Sequence, residues 1–209
     1  VRRDPVIRAL MDQFVCVRLV QANAMDLTLF QFDYDLTFAV FFMNADQTIY
    51  GRFGSRSDRK DATKDMTIEG FRKAMLGAMQ LHKGYPANKA LLTAKRGSAP
   101  QFKSPEDYPS LRGKYKPTLD YEGKVVQSCM HCHQVREAER LFFRGDRKPV
   151  PDHVMYPWPM PIVIGLELEP TDKAKVNAVA DGSPAAKAGF NAGDEILSLE
   201  GQPILSLAD

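Results

Sequence analysis

What the chain has little of narrows the field first. Cysteine is scarce, with three in 209 residues, too few to staple a small disulfide-built domain. Charge of one sign is nearly absent as an excess. The 28 Lys and Arg balance 26 Asp and Glu to a formal charge of +2, which removes the electrostatic case for a nucleic-acid partner. No apolar run approaches the roughly 18 residues that a membrane-spanning helix needs. The longest strongly apolar stretch, LTFAVFFM at 36–43, is the length of a strand. Neither an initiating Met nor a signal-peptide pattern opens the chain, which therefore reads as a piece whose address lies upstream. No Ser/His/Asp constellation, phosphate-cradling glycine loop or paired-carboxylate motif stands out, so hydrolase and kinase-like chemistry have nothing to rest on, and the balance leans away from an enzyme. The remaining composition, 44% hydrophobic and 26% charged, is that of an ordinary soluble α+β protein.

What is present is concentrated in one place. SCMHCHQV at 128–135 holds two of the three cysteines and two of the four histidines, with Cys129, Cys132 and His133 in the spacing CxxCH. That five-residue pattern is the signal for covalent c-type haem attachment, with two thioether anchors and His133 as an iron ligand. Attachment of this kind implies export to a bacterial periplasm. If VQSCMHCHQVREAERLFF is helical, Cys129, Cys132 and His133 fall at i, i+3 and i+4 and share a face. His131 then joins Val135, Ala138 and Phe142 on the apolar stripe as a packing residue. PDHVMYPWPMP supplies His153, Met155 and Met160 as sixth-ligand candidates, with Phe142, Phe143, Tyr156 and Trp158 as an apolar wall. Arg136 and Arg140 continue the cysteine face and are placed to pair with propionates.

Two other chemistries stay open for the same residues. Cys129, Cys132, His133 or His131, and His153 make a Cys2His2 zinc set, although adjacent Cys132 and His133 fill one tetrahedron awkwardly. The cysteines could also be a plain thiol pair or a disulfide staple.

Residues 1–94 read as an α/β unit. Asp4 and Pro5 start a helix over 4–13 as N-cap and first helical residue. FVCVRLV at 14–20 is strand-like, which makes Cys16 a small buried hydrophobe. The run at 36–44 is of the kind found in strands covered on both faces, and NADQ turns it into a second strand at 48–54. Asp33 and Asp35 read as surface loop acids, and RSDRKDATKD at 56–65 as a solvated loop. From Thr67, Ile68, Phe71, Met75, Ala78 and His82 recur at helical intervals until KGYP stops the helix. Met66, Met75 and Met79 read as core. This order resembles a thioredoxin-like fold lacking its first strand, and DLTFAVFFMNADQTIYGRFG is similar to that family's central hairpin. The family's dithiol at the start of its first long helix is absent, and Asp35 and Leu36 stand where it has a cis-proline. The resemblance therefore implies no dithiol activity here.

Residues 95–161 form an extended linker and the CxxCH helix. Phe102, Tyr108, Tyr115 and Tyr121 imply that the linker packs on something. From 162 the chain resembles a PDZ domain, a β-sandwich or barrel, in the bacterial circularly permuted order. GSPAAKAGF (182–190), AGDEILSLEGQPI (192–204) and IGLEL (164–168) carry the likeness. It implies that Gly165, Leu166, Glu167 and Leu168 hold a peptide's C-terminus beside their own strand. The chain stops at Asp209, before the family's second helix and final strand. The expectation is an envelope protein that transfers electrons or senses redox state through haem, with a redox partner and other envelope proteins docking on the outer domains. The alternative is a non-catalytic scaffold braced by a zinc or disulfide staple at Cys129 and Cys132.

Overall fold

The structure is a computed structural model that describes residues 4–36, 38–55, 66–145, 147, 149–172 and 174–209. The charge run at 56–65 lies outside them. In chain order the elements are α1 (Pro5–Met11), β1 (Phe38–Met43), β2 (Ile49–Ser55), α2 (Ile68–Lys83), α3 (Val125–Ser128), α4 (Cys132–Gly145), α5 (Asp152–Met155), β3 (Leu166–Leu168), β4 (Val176–Val179), α6 (Pro184–Lys187), β5 (Ser198–Leu199) and β6 (Gln202–Pro203). Short 310 turns cover Lys89–Lys95, Pro105–Asp107 and Pro161–Ile164. Among the described residues the strands form three two-stranded antiparallel sheets, none closed, in a mixed α+β arrangement.

Two compact units result. One comprises residues 1–16, 36–95 and 159–209, the other 17–35 and 96–158. The segments read from sequence as the first and last domains thus fall largely in the same unit.

In the first unit, Asp4 caps α1 by accepting from Val6 N (2.9 Å) and Ile7 N (3.0 Å), with Pro5 leading the helix. Thr67 caps α2 by accepting from Gly70 N, and Gly84 ends it. Both helices start where the sequence places them. α2 packs on the β1–β2 hairpin, and their core gathers Ile7, Phe42, Tyr50, Phe53, Phe71, Met75 and Leu92. Met66 packs at its margin.

Two expectations for this region fail. β1 is covered only in part, with Phe42 buried and Phe38 exposed, because β2 is its one partner among the described strands and α2 packs on the hairpin. Residues 15–20 form no strand: Val15, Val17, Leu19 and Val20 are exposed, and so is Cys16. β-branched residues favour a pleated, half-buried surface, and no described strand offers them one.

The PDZ-like segment is built into this unit. β3 pairs with β4, and Leu166, Val176 and Ala185 make a small core of their own. Gly165 precedes β3 at φ 86°, and a Cβ there would come within 2.3 Å of the Ser183 side chain. The loop after β3 docks on α2, where a Cβ on Gly70 would meet the Pro170 carbonyl at 2.3 Å. Lys73 pairs with Asp172 at 2.9 Å.

Past β6, Leu205 enters the N-terminal core and Asp209 buries its carboxylate. Asp209 Oδ1 lies 3.0 Å from Lys95 Nζ and accepts from Arg52 N at 3.0 Å, while Oδ2 accepts from Leu205 N at 2.9 Å. Arg52 Nη2 donates to the Lys95 carbonyl at 2.6 Å. Burial pushes the Asp209 carboxyl up and the Lys95 ammonium down, each opposed by the charge of the other.

A charge left alone in such a place is expensive. Lys95→Met is expected to cost about 3–5 kcal/mol in urea unfolding, whereas Lys95→Met with Asp209→Leu should cost much less than the two single changes summed. Additive costs would contradict the pairing.

Candidate functional site: the CxxCH segment

The second unit has its own core of Ala22, Met25, Leu27, Tyr34, Tyr108, Leu111, Met130, Val135 and Ala138. The linker aromatics build much of it, as their presence implied. Phe102 stands edge-on to Tyr108 (4.7 Å between centroids) and to Phe142 (5.2 Å), and Tyr115 packs alongside. Tyr121 is the exception and is exposed.

The CxxCH residues do not share one helix. α3 ends at Ser128, Cys129 is extended (φ −80°, ψ 121°), and α4 begins only at Cys132. The expected continuous helical face is replaced by a turn between the two thiols, for two reasons. Asn23 seizes the intervening backbone: its Oδ1 accepts from Met130 N at 2.8 Å, and its Nδ2 donates to the carbonyls of Lys116 (2.8 Å) and Ser128 (3.0 Å). Ala22 N adds a bond to the Met130 carbonyl at 2.8 Å. Gln134 then reaches back to accept from His131 N at 2.8 Å, one half of a capping box that starts α4 after His131. His131 is consequently exposed at the helix start and is not a packing residue; Met130 fills the core instead.

Cys129 and Cys132 are unpaired and half-buried. Cys132 packs at the margin of the core, and burial pushes its thiol up. His133, one residue on, keeps 66% of its side chain exposed, with Nδ1 3.3 Å from Asp35 Oδ1.

The arginines are not free for a propionate in the manner expected. Arg136 is 3% exposed: Nη1 donates to Glu139 Oε2 at 2.6 Å, Nη2 lies 3.4 Å from Asp33 Oδ1, and the guanidinium stands 5.9 Å from the Tyr34 ring. Arg140 Nη2 lies 3.3 Å from Asp35 Oδ2. Burial pushes the Glu139 carboxyl up against the pull of Arg136, and Tyr108 hydrogen-bonds it. The Tyr34 and Tyr108 hydroxyls are raised by burial, with Glu139 adding to it. Asp33 is therefore a buried partner, not a surface acid, and Asp35 has a defined role.

Of the remaining ligand candidates, His153 and Met155 lie exposed on α5, which packs against α4. Met160 belongs to the other unit. Among the described residues no three His, Cys, Asp or Glu side chains gather as a metal-holding group, so the zinc candidates are not assembled here. Covalent haem attachment draws on two thiols and an imidazole; here Cys129 and Cys132 are unpaired and flank a turn, and His133 follows with Nδ1 turned to Asp35. Asn23 and Asp35 were missed by sequence reasoning, because their partners lie about a hundred positions away. The Gln134 cap, three residues past His131, was readable.

Gly165, Leu166, Glu167 and Leu168 stand together at the start of β3. β4 pairs along one edge, and no described strand pairs along the other. Ile162, Val163 and Ile164 lie exposed just before it.

Compared with known proteins, residues 175–209 match the family model for the PDZ domain. That part of the chain is a PDZ segment, a protein-interaction module. No curated protein and no solved structure matches the chain.

Thiol reactivity reads this geometry directly. Cys16 lies at an open cleft of about 610 Å3 lined by Arg8, Met11, Asp12 and Phe14. Near neutral pH, iodoacetamide is expected to modify Cys16 well before Cys132, whose thiolate fraction and access are both reduced by burial. Peptide mass spectrometry over time checks the order, and Cys132 reacting first would contradict its packing.

Proposed function

We propose that this protein carries a covalently attached c-type haem, anchored at Cys129 and Cys132 with His133 as an iron ligand, and that it transfers electrons or senses redox state in a bacterial envelope assembly. The observation that carries the reading is the CxxCH set itself, in which both thiols are unpaired and Nδ1 of His133 is held by Asp35. The haem, when bound, supplies one-electron Fe(III)/Fe(II) chemistry.

The chain's own residues hold and orient. Asn23 fixes Met130 between the two thiols, which keeps Cys129 and Cys132 on either side of a defined turn. α4 carries His133 outward from the core. His153 and Met155, on the helix that packs against α4, are the sixth-ligand candidates in the same unit. The N-terminal hairpin with α2 packed on it supports a thioredoxin-like docking module, and the PDZ segment supports docking of a protein or C-terminal peptide. Export follows from the reading, because covalent haem attachment of this kind is completed outside the bacterial cytoplasm.

A second reading has its own support. The PDZ match and the open edge of β3 favour a non-catalytic scaffold that recruits partners, with the two thiols as a staple. The two readings separate by colour. Produced in a bacterial periplasm with c-type maturation, the protein is expected to show a Soret band and low-spin visible bands, and His133→Ala is expected to lose the low-spin character. A colourless wild-type protein would overturn the haem reading and leave the scaffold.

A further inference from the structure

The chain segment 33–35 meets three basic side chains of α4, His133, Arg136 and Arg140, spaced at i, i+3 and i+7 so that they share one face of the helix. The division of labour between the two aspartates is clear. Asp33, buried, takes the buried Arg136. Asp35, at the surface, places Oδ1 3.3 Å from His133 Nδ1 and Oδ2 3.3 Å from Arg140 Nη2, with Arg136 Nε at 4.0 Å. Its backbone N–H donates to Asp33 Oδ1 at 3.1 Å, so the carboxylate is presented by a turn that the buried ion pair already fixes.

An ionised carboxylate has only lone pairs to offer. A hydrogen bond between Asp35 and His133 therefore requires the proton on Nδ1, and the neutral ring then carries its free lone pair on Nε2. Nδ1 and Nε2 sit on different sides of the imidazole, so the nitrogen turned to Asp35 is not the one left for a ligand. A free neutral histidine favours the opposite tautomer. Among the described residues, Asp35 faces His133 from outside its helix, and Arg136 and Arg140 reach that same carboxylate from within it.

We propose that Asp35 is the positioning residue of the His133 imidazole: it orients the ring through Nδ1, sets the tautomer that leaves Nε2 able to ligate, and lends the ring anionic character. The last part rests on the haem reading. A ligand of more anionic character favours ferric over ferrous iron, so Asp35 holds the reduction potential down.

The test has two arms. In the apoprotein, 15N NMR of the imidazole is expected to show His133 protonated at Nδ1 in the wild type and shifted toward Nε2 protonation in Asp35→Ala. Arg140→Gln, which removes another partner of Asp35 on the same face, should leave the tautomer as it is. Should Asp35→Ala fail to fold, Asp35→Leu, whose side chain neither donates nor accepts, takes its place. In the haem-loaded protein, Asp35→Asn is expected to raise the midpoint potential, with Asp35→Glu returning it toward the wild-type value. A His133 tautomer indifferent to Asp35, or a potential unmoved in folded, haem-loaded Asp35→Asn, overturns the proposal. If the wild type takes up no haem, the functional reading falls by that result, and the apoprotein arm alone still decides the role of Asp35.

Discussion

A guanidinium taken out of water must be met by carboxylates, and the unit that carries the CxxCH segment is organised around one such group. Arg136 sits in the second turn of α4 at 3% exposure, with Asp33 on one side, Glu139 on the other and the Tyr34 ring beside it. Leaving it unpaired would cost several kcal/mol, so the 33–35 segment and α4 are held in one relative placement. Everything chemically interesting follows from that registration. One turn before Arg136, His133 meets Asp35; one turn after it, Arg140 meets the same carboxylate. Asn23 acts on the other flank: its side chain holds Met130 N while Ala22 N holds the Met130 carbonyl, which fixes the turn between the thiols.

How much of this could be read from the chain depended on how far apart the partners lie. Asp4 with Pro5, and Thr67 three residues before Gly70, are local signals, and both helices begin where those residues say. The 36–54 hairpin was legible because its turn is short. The PDZ segment was legible because GSPAAKAGF and AGDEILSLEGQPI are compact patterns. By contrast, the apolar spacing around residue 130 is the same for a continuous helix and for a helix broken between Cys129 and Cys132. The break comes from Asn23, 107 positions away from Met130. Arg136 looked like a group awaiting an anion because nothing near it in the sequence announces Asp33, 103 positions away. At 14–20 the composition was strand-like, but a strand exists only with a partner, and residues 15–20 are exposed and unpaired among the described strands.

Domain boundaries drawn on composition divided the chain into three consecutive pieces, whereas its compact units are discontinuous. The reason is chemical and specific. Leu205 completes the core under β2 and α2, and the Asp209 carboxylate is buried on Lys95 and the Arg52 backbone. Leu205 and Asp209, both within the matched PDZ segment, are therefore part of the N-terminal core.

The central claim is that the two thiols of the CxxCH segment are covalently occupied. The most direct measurement is the intact mass of the denatured protein after production with c-type maturation, compared with a Cys129→Ser and Cys132→Ser double variant. The account predicts one haem mass retained through denaturation by the wild type and absent from the variant. A wild-type protein at the bare polypeptide mass would contradict it.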